Sequence, residues 1–298
     1  MSKEIGQLAN LQTFVPLARY TSSRVGGPAD WLVVVESVEA LVEAVRAAQA
    51  DALPWRVVGG GSDLLVSDAG VRGLVIINKA RKVVFQDAYQ VYAESGANLG
   101  SLARACVARG WAGLEWAVGV PGTVGGAVVG NAGAHGGETS CVIESVTLLD
   151  AGSVVEWPVE RMAYDYRTSL LKRSAGEGDA SRVVLAATLA LEAGDQARLA
   201  QLADKFLARR KKIQPSGPSF GSMFKNPPGD HAGRLIEAAG LKGTQVGGMQ
   251  ISTLHANFFV NTGDATAADV KALIDLAQER VQQQFGVALE LEIEMIGY

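Results

Sequence analysis

Two periods of apolar residues alternate along this chain, one near 3.6 and one near 2, and they predict helices and strands interleaved. Val38, Leu41, Val42, Val45 and Ala48 fall at helical spacing behind Ser37, a residue type suited to capping a helix. Short apolar runs at 31–35, 55–58 and 74–77 read as strands, after a turn at 24–30, so the chain opens strand, helix, strand, loop, strand. Leu102, Ala103, Cys106 and Val107 place a helix at 99–110. Runs at 145–149 and 154–157 flank Asp150-Ala151-Gly152 as a hairpin, and 183–191 reads as a long strand. Between them, 174–181 is small and polar, a surface loop. From Gly194 the texture changes to a charged helix at 195–212 with Leu199, Leu202 and Phe206 inward. That change sets the expected division: an N-terminal segment 1–20, a first domain 21–193 and a second domain 194–298. The second domain holds a loop at 215–229, a short helix ending at Gly240, a strand at 256–261 and a helix at 266–285. It closes with a strand at 287–293, where Leu289, Leu291 and Ile293 alternate with Glu290, Glu292 and Glu294.

Composition narrows the function more than the fold. The chain has 298 residues, 48% of them hydrophobic, enough for packed cores in two domains. A net charge of −4 supplies no field to attract a polyanion, so nucleic acid is not an expected partner. There is no run of eighteen apolar residues and no charged-then-apolar start, so neither membrane insertion nor a secretory signal is expected, and residence in the cytoplasm is. Cys106 lies on the apolar stripe of its helix and reads as a buried structural thiol, whereas nothing in the sequence gives Cys141 a role. His135, His231 and His255 lack ligand spacing, so no metal site is expected.

Glycine supplies the first chemical signal. Eight of the nineteen residues at 119–137 are glycine, in the run GVPGTVGGAVVGNAGAHGG. Such density persists where the backbone needs positive φ or a close approach to another group, and turns of successive N–H groups hold anions without lysine or arginine. A second cluster, Gly59-Gly60-Gly61-Ser62-Asp63-Leu64, follows the apolar run at 55–58. Two loops closing on one phosphate is one reading, and tight turns in a glycine-rich scaffold is the other. Gly59-x-Gly61-x-x-Leu64 fails the dinucleotide fingerprint at its third glycine, and no Gly-Lys-Ser/Thr triplet exists for a Walker A loop.

Three further segments combine reactive side chains with special backbone: Tyr164-Asp165-Tyr166-Arg167-Thr168-Ser169, Gly221-Ser222-Met223-Phe224-Lys225-Asn226-Pro227, and the terminal glutamates. Alone, each has a bland reading as a surface cation, a turn cap or a solvated strand face. Together with PLARYTSSRVGGPADW, GGGSDLL, GVPGTVGGAVVGNAGA, AGRLIEAAGLKG, HANFFVN and LELEIEMIG in this order, they resemble the UDP-N-acetylenolpyruvoylglucosamine reductase flavoenzymes, in the shorter subtype that lacks an inserted tyrosine loop. The resemblance runs from about residue 16 to the C-terminus.

The resemblance implies an α+β protein: an FAD-binding domain of the vanillyl-alcohol-oxidase (PCMH) type, followed by a smaller α+β substrate-binding domain. It implies non-covalent FAD with its pyrophosphate on Gly59, Gly60, Gly61, Ser62, Asp63 and Leu64 and on Gly119, Val120, Pro121, Gly122, Thr123, Gly125 and Gly126, with Asn131, Ala132 and Gly133 nearby. NADPH is the implied reductant, sharing one cleft with UDP-N-acetylglucosamine enolpyruvate, and no obligate protein partner is implied. By the same resemblance Arg167 polarises the substrate carboxylate, Ser222 protonates the adjacent carbon and Glu292 assists at that group. Tyr166, Lys225, Asn226, Gln250, His255 and Asn257 are implied substrate contacts; for the diphosphate, Lys225 and Asn226 and the basic run 209–212 are candidates, and the run reads equally as a solvated helix end facing the helix dipole. Two positions depart from the family pattern: Asp63 stands where asparagine is usual, and Gly130 where a larger apolar residue is common. The competing functions are another FAD oxidoreductase acting on a small alcohol or hydroxy acid, and a non-catalytic flavin or nucleotide-sugar binding module.

Overall fold

The computed structural model describes residues 4–176 and 181–298. By its internal contacts the chain forms two compact units, each assembled from separated segments. The first takes residues up to Leu11, 32–60 and 74–209; the second takes Gln12–Trp31, Gly61–Gly73 and Arg210–Tyr298. The division therefore falls at Arg209/Arg210, inside the helix Gln196–Ile213, rather than at residue 194, and two early segments join the C-terminal residues. No helix among the described residues is long and apolar enough to cross a membrane.

In the first unit, helix Val38–Ala50 is capped as its sequence predicts. The Ser37 hydroxyl accepts the Ala40 N–H at 3.2 Å, while Leu41, Val42, Ala44, Val45 and Ala48 are buried. Strand Trp55–Val58 pairs in parallel with the 74–77 part of Val71–Asn78, whose other neighbour is Pro28–Val35. The latter strand starts three residues before its apolar run, so the chain is already extended where a turn was expected.

A five-stranded antiparallel sheet follows, in the order Ser153–Pro158, Ile143–Asp150, Val183–Ala190, Gln90–Glu94 and Val83–Phe85. Its hairpin turns at Ala151 and Gly152, both at positive φ (47° and 80°), the two-residue turn whose twist suits an antiparallel pair. Helix Leu99–Val107 buries Leu102, Ala103, Cys106 and Val107 against the core formed by Val91, Trp116, Val128, Val146, Leu148 and Trp157. Phe206 joins that core in part, but Leu202 is 37% exposed and does not point inward as its spacing predicted. The loop expected at 174–181 lies partly outside the described residues, and its first three residues close the helix Leu170–Gly176.

The second unit stacks two helices, Ala232–Ala238 and Ala267–Phe285, on an antiparallel sheet ordered Ser219–Ser222, Phe258–Asn261, Met249–Ile251, Gln245–Val246. Its core contains Phe224, Leu235, Ile236, Phe259, Val270, Leu273, Ile274 and Val281. The strand expected at 287–293 is instead Glu294–Ile296, pairing in parallel with Leu64–Val66. The apolar alternation before it is real, with Leu289 and Ile293 buried, but there the chain makes only an isolated bridge between Leu291 and Phe224. The helix Ala267–Phe285 carries a capping box of Thr266 and Asp269, and the Asp68 carboxylate accepts the N–H groups of Ala267 (2.8 Å) and Ala268 (2.9 Å).

Candidate functional site

The two glycine segments of the first unit touch each other. A Cβ on Gly59 would lie 2.5 Å from the Thr123 hydroxyl, and one on Gly60 would lie 3.1 Å from the Gly122 Cα. A side chain at either position would force Thr123 to turn away or the segments to part, so glycine suits the contact. Within the cluster at 119–137 the chain is not all loop: Val124–Gly130 is a helix, capped by the Thr123 hydroxyl and ended by Asn131 at φ +45°. Its first donors are engaged within the protein, since Val124 N–H donates to Ala97 O (2.9 Å), Gly125 N–H to Ser95 O (2.8 Å) and Gly126 N–H to Thr123 Oγ1 (3.4 Å). Glycine at 125 answers a packing need, because a Cβ there would meet the Ser95 Cβ at 2.8 Å.

A flavin nucleotide fits this chemistry. Gly60 meets the main chain of Gly122 and Gly59 the Thr123 hydroxyl, with no acidic side chain in either segment, as a pyrophosphate requires of an acidic protein. The remaining residues of the first cluster fall in the second unit: Gly61, at φ +57°, leaves no room for a Cβ beside the Tyr20 carbonyl, Asp63 O accepts the Glu294 N–H at 2.9 Å, and Leu64 opens a buried strand.

Arg167 is held at the tip of a closed turn in the first unit. Asp165 and Thr168 exchange both backbone hydrogen bonds (3.1 Å each), closing a tight turn that carries Tyr166 and Arg167 at its tip. Arg167 adopts φ +55°, a left-handed conformation that costs an L-residue roughly 1 to 2 kcal/mol. Its guanidinium donates to Gly133 O (2.6 Å) and Asn131 O (3.4 Å) and lies 5.2 Å from the centre of the Tyr166 ring. A side chain at Gly133 would sit 3.0 Å from Nη1, so that glycine makes room for the arginine. Asn131 joins the same assembly: buried, it donates from Nδ2 to Asp165 O (3.1 Å) and accepts the Ser140 N–H at Oδ1 (3.0 Å). Ser169, fully buried, fastens the turn from below by donating to Val129 O at 2.7 Å, a role that nothing in the residue pattern signals.

In the second unit, Ser222 ends its strand just after Gly221 at φ +81° and pairs with Phe258. The next residues lie between two flanking segments. Met223 N–H donates to Asn257 O (2.8 Å), Glu292 N–H donates to Met223 O (3.0 Å), and Lys225 N–H donates to Glu290 O (2.9 Å). Glu292 is half-buried beside Met223, not on a solvated strand face. Lys225 pairs with Glu290 at 3.2 Å, and Asn226 accepts the Ala232 N–H at 3.1 Å, anchoring the start of a helix. Gln250, in a middle strand, donates to Gly243 O at 3.3 Å. His255 accepts the Asn257 N–H at Nδ1 (3.2 Å) and stands edge-on to Phe258; burial first, then nearby Lys242, lowers its pKa below the ordinary histidine value.

The FAD binding domain family matches residues 29–157, and the C-terminal domain of UDP-N-acetylenolpyruvoylglucosamine reductase matches 213–296. A UDP-N-acetylenolpyruvoylglucosamine reductase of Chloroflexus aggregans is 44% identical over 285 residues, covering 94% of this chain and 96% of that one. The chain belongs to the UDP-N-acetylenolpyruvoylglucosamine reductase family. A relative of that name in Rubrobacter xylanophilus is 45% identical over 95% of this chain and 94% of its own length. The crystal structure of the enzyme from Thermus caldophilus superposes with a TM-score of 0.82 at 36% identity, covering 96% of this chain and 99% of that one. The FAD-binding match holds both glycine segments and Asn131–Gly133, whereas the C-terminal match holds Ser222 and Glu292; Arg167 falls between the two.

Proposed function

We propose that Arg167, Ser222 and Glu292 carry the chemistry of this chain, and that the glycine segments at 59–60 and 119–123 hold its cofactor. The protein is an oxidoreductase of peptidoglycan precursor synthesis that reduces UDP-N-acetylglucosamine enolpyruvate to UDP-N-acetylmuramate. Its cofactor is FAD and its reductant NADPH. When bound, FAD supplies the two-electron relay between NADPH and the enol ether. NADPH and the sugar nucleotide use the same site in turn, and dependence on both puts the reaction in the cytoplasm. The net change adds a hydride and a proton across the enolpyruvyl double bond, so the protein's own task is to manage the proton and the charge that builds on the carboxylate.

Arg167 answers the charge. Two carbonyls orient its guanidinium before any substrate arrives, which is the condition under which a donor lowers a barrier, by about 3 kcal/mol for a well-placed one. Ser222 supplies the proton to the carbon next to the carboxylate. A hydroxyl is a weak acid for this task, and fixed placement against a strongly basic carbon compensates for the mismatch. Glu292 assists at the same group, and Tyr166, Lys225, Asn226, Gln250 and His255 serve the sugar nucleotide. The observation that carries the reading is the bond from Glu292 N–H to Met223 O, which brings the terminal glutamate alongside the residue after Ser222.

The test is anaerobic and has two halves. NADPH should bleach the flavin of Ser222→Ala at the parent rate, and adding the enolpyruvyl sugar nucleotide should restore the colour at least about 100-fold more slowly than in the parent. Equal slowing of both halves in a folded, flavin-loaded variant would refute the assignment of Ser222.

A further inference from the structure

Asn257 lies 3% exposed in the second unit, and its carboxamide faces one backbone residue, Phe224. Oδ1 accepts the Phe224 N–H at 2.9 Å while Nδ2 donates to the Phe224 carbonyl at 2.8 Å. A carboxamide is a peptide group on a short stalk, with one acceptor and one donor side by side, so this pair reproduces the two bonds that a neighbouring strand would make. The location explains the need. The ladder between Ser219–Ser222 and Phe258–Asn261 shifts register between Ser219 and Ser222, Gly221 turns to φ +81°, and Ser222 is the last residue in the ladder. Beyond it the chain has left the sheet, and Asn257 takes over where strand pairing stops. Its backbone carbonyl holds Met223 as well, so one residue secures two consecutive residues immediately after Ser222.

We infer that Asn257 is a positioning residue for Ser222, holding the backbone that aims the serine hydroxyl rather than contacting the sugar nucleotide. The inference rests on the reading of Ser222 as the proton donor. Aspartate is the nearest test by shape, because it can still accept from Phe224 N–H but sets a second oxygen against the Phe224 carbonyl. A displacement of about 1 Å at a reacting group lowers a rate by roughly 100-fold.

Flavin-loaded Asn257→Asp should therefore be reduced by NADPH at a rate within about 2-fold of the parent, and reoxidised by the enolpyruvyl sugar nucleotide about 100-fold more slowly, with the loss in rate rather than in half-saturating substrate. In a Ser222→Ala background the same change should slow reoxidation by no more than about 2-fold, because the group it aims is gone. An Asn257→Asp effect that persists undiminished on Ser222→Ala, equal slowing of both half-reactions, or a loss confined to substrate saturation would overturn the inference. If Ser222→Ala lowers reoxidation and Asn257→Asp does not, the positioning role fails and the proton-donor role survives. If Ser222→Ala leaves reoxidation unchanged, both fail. Should Asn257→Asp not fold, Asn257→Gln carries the same expectations, since it keeps donor and acceptor but displaces them by one methylene.

Discussion

Gly59→Ala puts the contact between the two glycine segments to a direct test. Gly59 has no positive φ, so the backbone tolerates alanine, and any effect arises from the new methyl group. That methyl would lie 2.5 Å from Thr123 Oγ1 and 3.2 Å from Thr123 Cγ2, against about 3.5 Å or more for an ordinary contact, so Thr123 must move by about 1 Å. If its side chain rotates away, the helix Val124–Gly130 loses its cap, a loss of about 1 kcal/mol. If the segments separate instead, overpacking costs about 1 to 3 kcal/mol. Alanine returns about 0.5 kcal/mol through the unfolded chain, leaving a net loss of about 0.5 to 2.5 kcal/mol. Because the same movement opens the cradle, FAD affinity should fall about 10-fold, equivalent to 1.4 kcal/mol. Titrating apoprotein with FAD by flavin fluorescence measures the affinity, and urea unfolding of the apoprotein measures the stability. Gly60→Ala, with 3.1 Å to Gly122 Cα, should follow in the same direction with a smaller effect. Unchanged FAD affinity in a measurably destabilised Gly59→Ala protein would refute the cradle, and unchanged stability would refute the contact.

Gly130→Ala should stabilise the protein by up to about 0.5 kcal/mol in urea unfolding, since nothing lies within 4 Å of a Cβ there and the residue ends a helix. Asp68→Ala should lower stability by about 1 to 2 kcal/mol by removing the acceptor for the first two N–H groups of Ala267–Phe285. His255 has a folded pKa below its unfolded value, so the unfolded chain takes up a proton first as pH falls. Its contribution is intact above the unfolded pKa and is lost as pH falls from there towards the folded pKa, and Asn257 N–H donation to Nδ1 opposes the same protonation. The stability slope between pH 7 and pH 5 should flatten in His255→Asn. Burial raises the Cys106 thiol to about 12, while Cys141 is exposed, so a thiol reagent at pH 8 should label the native protein at Cys141 and both cysteines only after unfolding.

The parts of the fold that were legible in sequence are those whose burial repeats locally. Val38–Ala50 and Leu99–Val107 show their apolar stripes, and the hairpin at Asp150-Ala151-Gly152 shows its turn. Val124–Gly130 was not legible, because glycine has low helix propensity and this helix is held by Thr123, Asn131 and the burial of Val124, Ala127 and Val128. Alternation at 287–293 marked Leu289 and Ile293 as buried but missed that Glu292 is half-buried like Leu291, and pairing needs a partner strand, of which the available one, Leu64–Val66, meets only Glu294–Ile296. At the site, Arg167, Ser222 and Glu292 are nominated by the family resemblance of the ordered motifs that hold them, since each residue alone also reads as a surface cation, a turn cap or a solvated strand face. The carbonyls that hold Arg167 and the carboxamide that holds Phe224 were not visible, since a side chain bonded to distant backbone leaves no period in the sequence.

The pairing of Leu64–Val66 with Glu294–Ile296 bears on how the chain is made. A ribosome delivers residue 64 long before residue 296, so an early strand of the second unit emerges with its partner still unsynthesised. Asp68 likewise waits for a helix that begins about two hundred residues later. The second unit can be completed only after residues 294–296 have been made, and a gene fragment beginning near residue 210 would encode a body missing both of its early segments, Gln12–Trp31 and Gly61–Gly73. Linking residues 12–31 and 61–73 to such a fragment through short tethers should restore what truncation removes.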